Sequence, residues 1–330
     1  MSAIARRPVA VDRLEVRILV DNAVDMLSST RPSSESELAG FFRRGMRLVG
    51  GRCLCCAAHG FACLVTAWRG EARHSVLFDT GPEADMLLRN IARLGVDPGT
   101  IEGIVLSHGH FDHVGALTEA LDAIREANDA AEVPVYVHPG MFRTRAQQMA
   151  GGEMVVVEDV PDTQTMRAHG ADVVETSQPL VLPGGLFHVS GEIARTTSFE
   201  RGLPGHFART SRDAPWESDP LIMDERYLAI DVTGKGLVVL SACSHAGLIN
   251  VLTDARTNFP ETPIHAVIGG FHLSGANEAI IPQTVEALLG FDLSVIAAAH
   301  CTGWRALVAL AAGLGEGVLD PSVAGKTYQF

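Results

Sequence analysis

Residues 107–113 read Ser-His-Gly-His-Phe-Asp-His, and this segment constrains the chain more than any other. The apolar run at 101–106 that precedes it predicts a short buried strand, and residues 114–117 predict the start of a helix. Neutral imidazole and carboxylate are ligands that zinc, iron and manganese share. We therefore expect a metal site on a strand-to-helix loop. Its candidate ligands are His108, His110, Asp112 and His113.

The segment before this cluster gives it a context. Residues 75–78 predict a strand that ends in Asp79-Thr80-Gly81, and residues 84–96 have the apolar spacing of an amphipathic helix. The order strand, Asp-Thr-Gly, helix, strand, H-x-H-x-D-H resembles the N-terminal half of the metallo-β-lactamase fold superfamily. This resemblance implies an α/β fold, in which an αββα sandwich of two mixed sheets is flanked by helices.

Later segments are similar to one branch of that superfamily. The branch contains metal-dependent hydrolases related to the dihydropterin–ribofuranosyl-aminobenzene phosphate synthases of methanogens. It implies a hydrolase that uses a metal-activated hydroxide on a small organic substrate, for which a phosphorylated or pterin-like molecule is one option. An ester or lactone hydrolase is the alternative, as is a metal-bound sensor or binding protein with little turnover. The similar segments are residues 58–61, 191–195, 241–247, 269–273 and 300–303.

The length and composition suit one domain over residues 1–330. Residues 24–58 look like an insertion, which we expect to form a lid over the metal site. The chain has no run of 18 apolar residues and its N-terminus lacks the features of a signal peptide, so we expect a cytoplasmic protein without a membrane partner. A net charge of −13 argues against a nucleic-acid partner and leaves a small-molecule substrate. The oligomeric state is not specified.

The six cysteines do not form a zinc-knuckle pattern. Residues 53–56 read Cys-Leu-Cys-Cys, which lacks paired C-x₂-C spacing. We expect reduced thiols and no structural disulfide. The cysteines are Cys53, Cys55, Cys56, Cys63, Cys243 and Cys301.

The resemblance implies further ligands, each just after an apolar strand. His300 matches the last histidine of the superfamily, which would complete a second metal site with Asp112 and His113. His245 is the candidate third histidine of a first site beside His108 and His110. Many relatives have a bridging aspartate near the end of the same strand, whereas this chain has Cys243, which is either a ligand or a close neighbour of the ligands. Zinc is the expected metal, with one or two ions per chain and iron or manganese as alternatives.

Several other residues receive a role. Asp112 is expected to orient the attacking water or pass on its proton, in addition to binding metal. Asp79 is expected to support the ligand loop by hydrogen bonding. His59 and His272 are candidates for substrate contact.

The remaining candidates are expected to act outside the chemistry. Glu192 and Arg195 are either pocket residues or loop anchors. His74, His169, His206 and His265 carry no supporting spacing and are expected to be structural or solvated. His138, at a strand end before Pro139, and His188, in an apolar–polar alternation, are expected to be structural.

Overall fold

The computed structural model describes residues 7–315 and 317–330. These residues contain eighteen strands: β1 (Arg13–Val20), β2 (Ser34–Glu35), β3 (Ala62–Arg69), β4 (Ala72–Phe78), β5 (Ile104–Val105), β6 (Val133–Val137), β7 (Thr144–Gln148), β8 (Met154–Val156), β9 (Ala171–Glu175), β10 (Leu180–Val181), β11 (His188–Val189), β12 (His206–Arg209), β13 (Glu217–Ser218), β14 (Leu228–Val232), β15 (Gly236–Leu240), β16 (Ile264–Gly269), β17 (Val295–Ala298) and β18 (Thr327–Gln329). The α-helices among them are α1 (Glu37–Arg43), α2 (Ala84–Leu94), α3 (Phe111–Val114), α4 (Leu117–Ala127), α5 (Thr163–Ala168), α6 (Leu248–Asn258), α7 (Ile281–Leu288) and α8 (Trp304–Leu314).

The strands form two large mixed sheets and one small sheet. The eight-stranded sheet has the order β2-β18-β1-β3-β4-β5-β6-β9, and the six-stranded sheet has the order β10-β11-β14-β15-β16-β17. Strands β4, β5, β6 and β9 run parallel, as do β15, β16 and β17, while their other neighbours pair antiparallel. The small sheet, with the order β13-β12-β7-β8, is antiparallel and was not predicted.

Alternation along the strands divides the core into three layers. On β3, Val65 packs between the two large sheets, whereas its neighbour Leu64 packs on the other face with α2 and α4. On β15, Val238 faces the first sheet and Val239 packs against α6, α7 and α8. Because successive side chains of a strand point to opposite faces, both strands are buried on two sides. The predicted αββα sandwich is confirmed.

The metal-motif segment differs from the predicted loop followed by one helix. The structure has a single helical turn, α3, and then a second helix, α4, after Gly115 and Ala116. Gly115 separates them at a close approach of the chain, since a Cβ at this position would lie 1.9 Å from the carbonyl oxygen of Pro82. Asp112 and His113 therefore lie on a helical turn that is held against the segment after β4.

The segment at 24–58 is attached to the outer part of the eight-stranded sheet. Strand β2 pairs with β18 at the sheet edge. The Glu37 carboxylate accepts a hydrogen bond from the backbone N–H of Cys55, and Asn90 on α2 accepts one from that of Cys56. These contacts tie the later part of the loop after α1 to α1 and to α2.

The imidazole of His188 makes folding stability depend on pH. It is 6% exposed, its Nε2 has no hydrogen-bond partner among the described residues, and burial lowers its pKa from 6.5 to about 4. Between pH 6.5 and about 4, His188 therefore binds a proton in the unfolded chain but not in the folded chain. The stability due to the neutral ring is present above pH 6.5 and is lost as the pH falls towards 4.

We expect His188→Gln to reduce this loss, because glutamine does not titrate. Between about pH 7.5 and pH 5, the wild type should lose about 2 kcal/mol more unfolding free energy than the variant. Urea unfolding of both proteins at the two pH values measures the difference, in which the other titrating groups cancel. Parallel losses in the two proteins would contradict the assignment.

Candidate metal site

The seven candidate ligands all follow strands of the two large sheets, at one edge of the sandwich. His108 and His110 come after β5, and Asp112 and His113 lie on the adjoining α3. Cys243 and His245 come after β15, and His300 comes after β17. Since β15 and β17 are parallel to their common neighbour β16, their carboxyl ends lie at the same edge. The packing of the two sheets brings this edge against the end of β5.

The side chains converge on one point. Nε2 of His108 lies 3.1 Å from Nδ1 of His110, and the ring of His245 lies 4.8 and 4.9 Å from the rings of these two residues. Nε2 of His113 lies 3.1 Å from the Cys243 sulfur.

The donor atoms fall into two groups that share one sulfur. In each group the atoms lie within 4.8 Å of one another, and Cys243 belongs to both. In the second group, Oδ2 of Asp112 lies 3.5 Å from Nε2 of His113 and 3.6 Å from Nε2 of His300. The first group is His108, Cys243 and His245, and the second is Asp112, His113, Cys243 and His300.

These residues fit a bound cation. His245 is buried, yet neither of its ring nitrogens has a hydrogen-bond partner among the described residues. A buried polar atom without a partner is costly, and coordination would satisfy it. Imidazole nitrogen, thiolate sulfur and carboxylate oxygen together are donors that zinc accepts.

Asp79 directs two of the histidines. Its Oδ1 accepts a hydrogen bond from the backbone N–H of Ser107, and its Oδ2 accepts from the Ser107 hydroxyl and from Nδ1 of His113, each at 2.7 Å. Because the Ser107 hydroxyl donates to Asp79, its oxygen accepts from Nδ1 of His108, 2.9 Å away. In the neutral rings, Nε2 of His108 and of His113 is therefore the unprotonated nitrogen, and it faces the site.

The protonation of the site histidines follows from their surroundings. Burial lowers the pKa of His108, His110 and His245 well below 6.5, and neighbouring imidazoles lower it further. At His113, burial also lowers the pKa, but the carboxylates of Asp112 and Asp79 outweigh it and raise the pKa. The first group thus offers neutral imidazoles, and the second lies in a negative potential that favours a cation.

A cavity of about 180 Å³ opens above the site. His59 and His272, the candidates for substrate contact, both line it. Nε2 of His59 lies 3.8 Å from Oδ2 of Asp112, and the His272 ring lies 4.5 Å from that of His245. The other lining residues are His110, Phe111, Asp112, Gln147, Val157, Leu203, His206, Cys243, His245 and Cys301.

The expected lid lies elsewhere. None of the described residues 24–58 lines the cavity. Its outer wall is formed by Gln147, Val157, Leu203 and His206, which belong to the small sheet and its connections. The segment at 24–58 instead pairs with β18 at the edge of the eight-stranded sheet and contacts α2 through Cys56.

Two adjacent carboxylates that the sequence analysis missed position the ligand loops. Oδ2 of Asp224 accepts a hydrogen bond from the backbone N–H of Gly109, and Oδ1 accepts from buried Arg145 at 2.6 Å. The carboxylate of Glu225 accepts from the backbone N–H groups of His245 and Ala246, at 2.7 and 2.6 Å. The signal available in the sequence was an Asp-Glu pair that Arg226 and Tyr227 separate from the apolar strand β14.

Three other residues considered in the sequence analysis, Arg195, Glu192 and His206, have clear positions in the structure. Arg195 is a loop anchor, since it donates to the carbonyl oxygens of Ile193 and Leu221 and does not line the cavity. Glu192 is also outside the cavity lining and lies 3.5 Å from Nε2 of His138. His206, expected to be structural or solvated, is buried, and its Nε2 lies 3.1 Å from Nε2 of His110.

Comparisons with known proteins agree with this architecture. Residues 60–194 match the family model of the metallo-beta-lactamase superfamily. The chain is 31% identical over 257 residues to the 7,8-dihydropterin-6-methyl-4-(beta-D-ribofuranosyl)-aminobenzene-5'-phosphate synthase of Methanocaldococcus jannaschii, covering 75% of this chain and 82% of that protein. The chain belongs to the metallo-β-lactamase superfamily.

Solved structures share the fold. The superfamily protein Tm1679, described as a metal-dependent hydrolase, matches with a TM-score of 0.68 at 22% identity, over 96% of this chain and 98% of that one. YhfI from Bacillus subtilis, a metallo-beta-lactamase fold protein, matches with a TM-score of 0.51 at 12% identity, over 97% and 100%. Within residues 7–315 and 317–330, no helix is long and apolar enough to cross a bilayer.

Asp79→Asn should weaken metal binding without removing the side chain. An amide can donate to Nδ1 of His113, which would place the proton on Nε2, the nitrogen that faces the site. From the usual effect of such supporting groups, we expect zinc affinity to fall about 10- to 100-fold. Competition with a chromophoric chelator measures the affinity. Asp97→Asn, at an exposed turn, is the control, and equal affinities in the two variants would contradict the role of Asp79.

Proposed function

We propose that the protein is a metal-dependent hydrolase that acts on a small organic molecule. The observation that carries this proposal is the pair of donor groups that share Cys243 at the base of a cavity. Membership of a superfamily with such a site supports it. The high negative charge of the chain supports a small-molecule substrate over a nucleic acid, and we propose a cytoplasmic location.

The two groups would hold one or two ions, for which we propose zinc, with iron or manganese as alternatives. His108, His110 and His245 would form the first position, and Asp112, His113 and His300 the second, with Cys243 available to both. A thiolate favours zinc over harder cations. When bound, such an ion lowers the pKa of water towards neutrality and polarises a carbonyl or phosphoryl oxygen.

Asp112 is placed to handle a proton. Its Oδ2 lies within 3.5 to 3.8 Å of the Nε2 atoms of His113, His300 and His59, and the residue lines the cavity. We propose that this carboxylate orients the attacking water and accepts its proton. The ring of His59, whose side chain is 63% exposed, lies between Asp112 and solvent and would contact the substrate.

The wall of the cavity limits how a substrate could bind. Phe111, Val157 and Leu203 form an apolar side, which suits a flat or aliphatic group. Among the described residues, no lysine or arginine lines the cavity. A phosphate group would therefore have to bind at the metal centre and the histidines, as the group that reacts.

This wall supports a choice of substrate class, as does the relative in Methanocaldococcus jannaschii, whose name contains both a dihydropterin and a phosphate. We propose a phosphorylated or pterin-like substrate, with an ester or lactone as the alternative. Turnover assays with phosphomonoesters, phosphodiesters and lactones, each with and without an aromatic group, distinguish them. Metal binding without turnover on any of these would favour a sensor or binding protein instead.

Metal removal and Asp112→Ala should each abolish most activity. We expect turnover to fall at least about 100-fold in the variant, because the group that accepts the proton is lost. In the metal-stripped wild type, readdition of zinc should restore activity. The measurement is kcat on the best substrate of the assay above.

Glu71→Ala, in the exposed turn between β3 and β4, is the matched control and should keep wild-type turnover. Full activity of the chelated protein would contradict the proposed function. Full activity of Asp112→Ala with bound metal would contradict the role of this carboxylate.

Because Cys243 belongs to both donor groups, we expect its replacement to weaken metal binding at both proposed positions. Cys243→Ser should weaken zinc binding at least about 10-fold, since a neutral hydroxyl replaces a thiolate, and Cys243→Asp should partly restore it. Cys301→Ser is the control, because its sulfur lies only 3.4 Å from that of Cys243 but belongs to neither donor group. Metal stoichiometry and affinity decide. Equal losses in Cys243→Ser and Cys301→Ser would mean that Cys243 is not a ligand.

A further inference from the structure

His206 lies on β12 of the small sheet, outside the metal motif, and is 2% exposed. Both of its ring nitrogens have close partners. Nε2 lies 3.1 Å from Nε2 of His110, and Nδ1 lies 2.8 Å from the backbone carbonyl oxygen of Asp219. The backbone N–H of Asp219 in turn donates to the carbonyl oxygen of His206 at 2.9 Å. The ring is thus held in one orientation by the residue that follows β13, the strand paired with β12.

These contacts determine where the protons lie. A carbonyl oxygen only accepts hydrogen bonds, so Nδ1 of His206 carries a proton, and in the neutral ring Nε2 is an acceptor. His110 then donates from its Nε2, which leaves its Nδ1 unprotonated. That Nδ1 faces the unprotonated Nε2 of His108 at 3.1 Å. Two facing lone pairs repel each other, and a cation bound between them removes the repulsion.

We propose that His206 is a positioning residue that keeps His110 in the tautomer able to bind metal through Nδ1. The proposal rests on the metal site proposed above, but not on the reaction. His206 would act from behind the ligand, because it contacts the ring nitrogen of His110 on the side away from His108. The residue belongs to neither donor group around Cys243.

The same sheet is tied to the ligand loop at a second point. His206 pairs with Gln147 on β7, and two residues further along the pairing Ala208 lies opposite Arg145. Arg145 binds Asp224, which accepts the hydrogen bond from Gly109, the residue between the two metal-motif histidines. The paired strands β7 and β12 therefore both line the cavity and contact the segment that carries His108 and His110.

Replacement of the ring tests the role. In His206→Ala we expect zinc affinity to fall about 10- to 100-fold, the usual effect of removing the group that orients a metal-binding histidine. His206→Gln should recover most of this loss, because its amide oxygen can accept the proton on Nε2 of His110. His188→Gln controls for the loss of a buried histidine on a short strand remote from the donor groups. Chelator competition measures the affinities.

A spectroscopic measurement separates this role from general destabilisation. In the zinc-loaded wild type with ¹⁵N-labelled histidine, ring nitrogen–proton correlations should show His110 protonated at Nε2, with a slowly exchanging proton. His206→Ala should lose this slow exchange and His206→Gln should keep it. A wild-type His110 protonated at Nδ1 would overturn the proposal, as would unchanged affinity in His206→Ala.

The remaining outcomes are also distinct. Loss of a full equivalent of zinc in both His206 variants would make His206 a ligand and overturn the positioning role. A wild type that binds no zinc would overturn the metal site together with this proposal. A wild type that binds zinc and shows the expected tautomer, but has no turnover, would overturn only the hydrolase function.

Discussion

The burial of several imidazoles and carboxylates at one point is the constraint on which the site depends. Polar atoms removed from water must find partners, or the fold loses stability. Three buried carboxylates supply many of those partners: Asp79 for the β5 end, Asp224 for Gly109, and Glu225 for the loop that carries His245. Among the described residues the ring nitrogens of His245 have no partner, and a cation bound there would satisfy them.

Most of these supporting contacts are made to backbone N–H groups, which has a functional consequence. A loop held by its backbone presents its side chains in one direction, so the donor atoms of the site are organised before any ligand arrives. Glu225 shows the cost of this arrangement, because burial raises its pKa to about 7 even though two N–H groups stabilise its charge. Asp79, Asp224 and Glu225 thus hold loops by accepting hydrogen bonds from them, whereas Asp112 faces the cavity.

The small sheet connects the wall of the cavity to the candidate metal ligands. Gln147 and His206 line the cavity, while the same strands hold Arg145 against Asp224. A change in the wall would therefore be felt at His110 and Gly109. Cys243 lies where the resemblance implies a bridging carboxylate in many relatives, so this chain offers a thiol at that position.

The sequence by itself determined the elements and ligands that depend on local order. The strands β1, β3, β4 and β15 could be predicted from their apolar runs. The H-x-H-x-D-H motif places four possible metal donors within six consecutive residues. The αββα architecture followed from the order of these elements, by resemblance. The sequence also indicated His245 and His300 as candidate ligands, because each follows an apolar strand whose carboxyl end lies at a sheet edge.

Only the tertiary structure decided the rest. His206 is separated from His110 by 96 residues and Asp224 from Gly109 by 115, so no spacing along the chain relates them. The strands of the small sheet are only two to five residues long, too short to show a hydrophobic repeat, and pairing between them makes them strands. The position of residues 24–58 was likewise set by pairing with β18, nearly three hundred residues away. Contacts between distant segments carry no local signature, because their energy exists only once the sheets have packed.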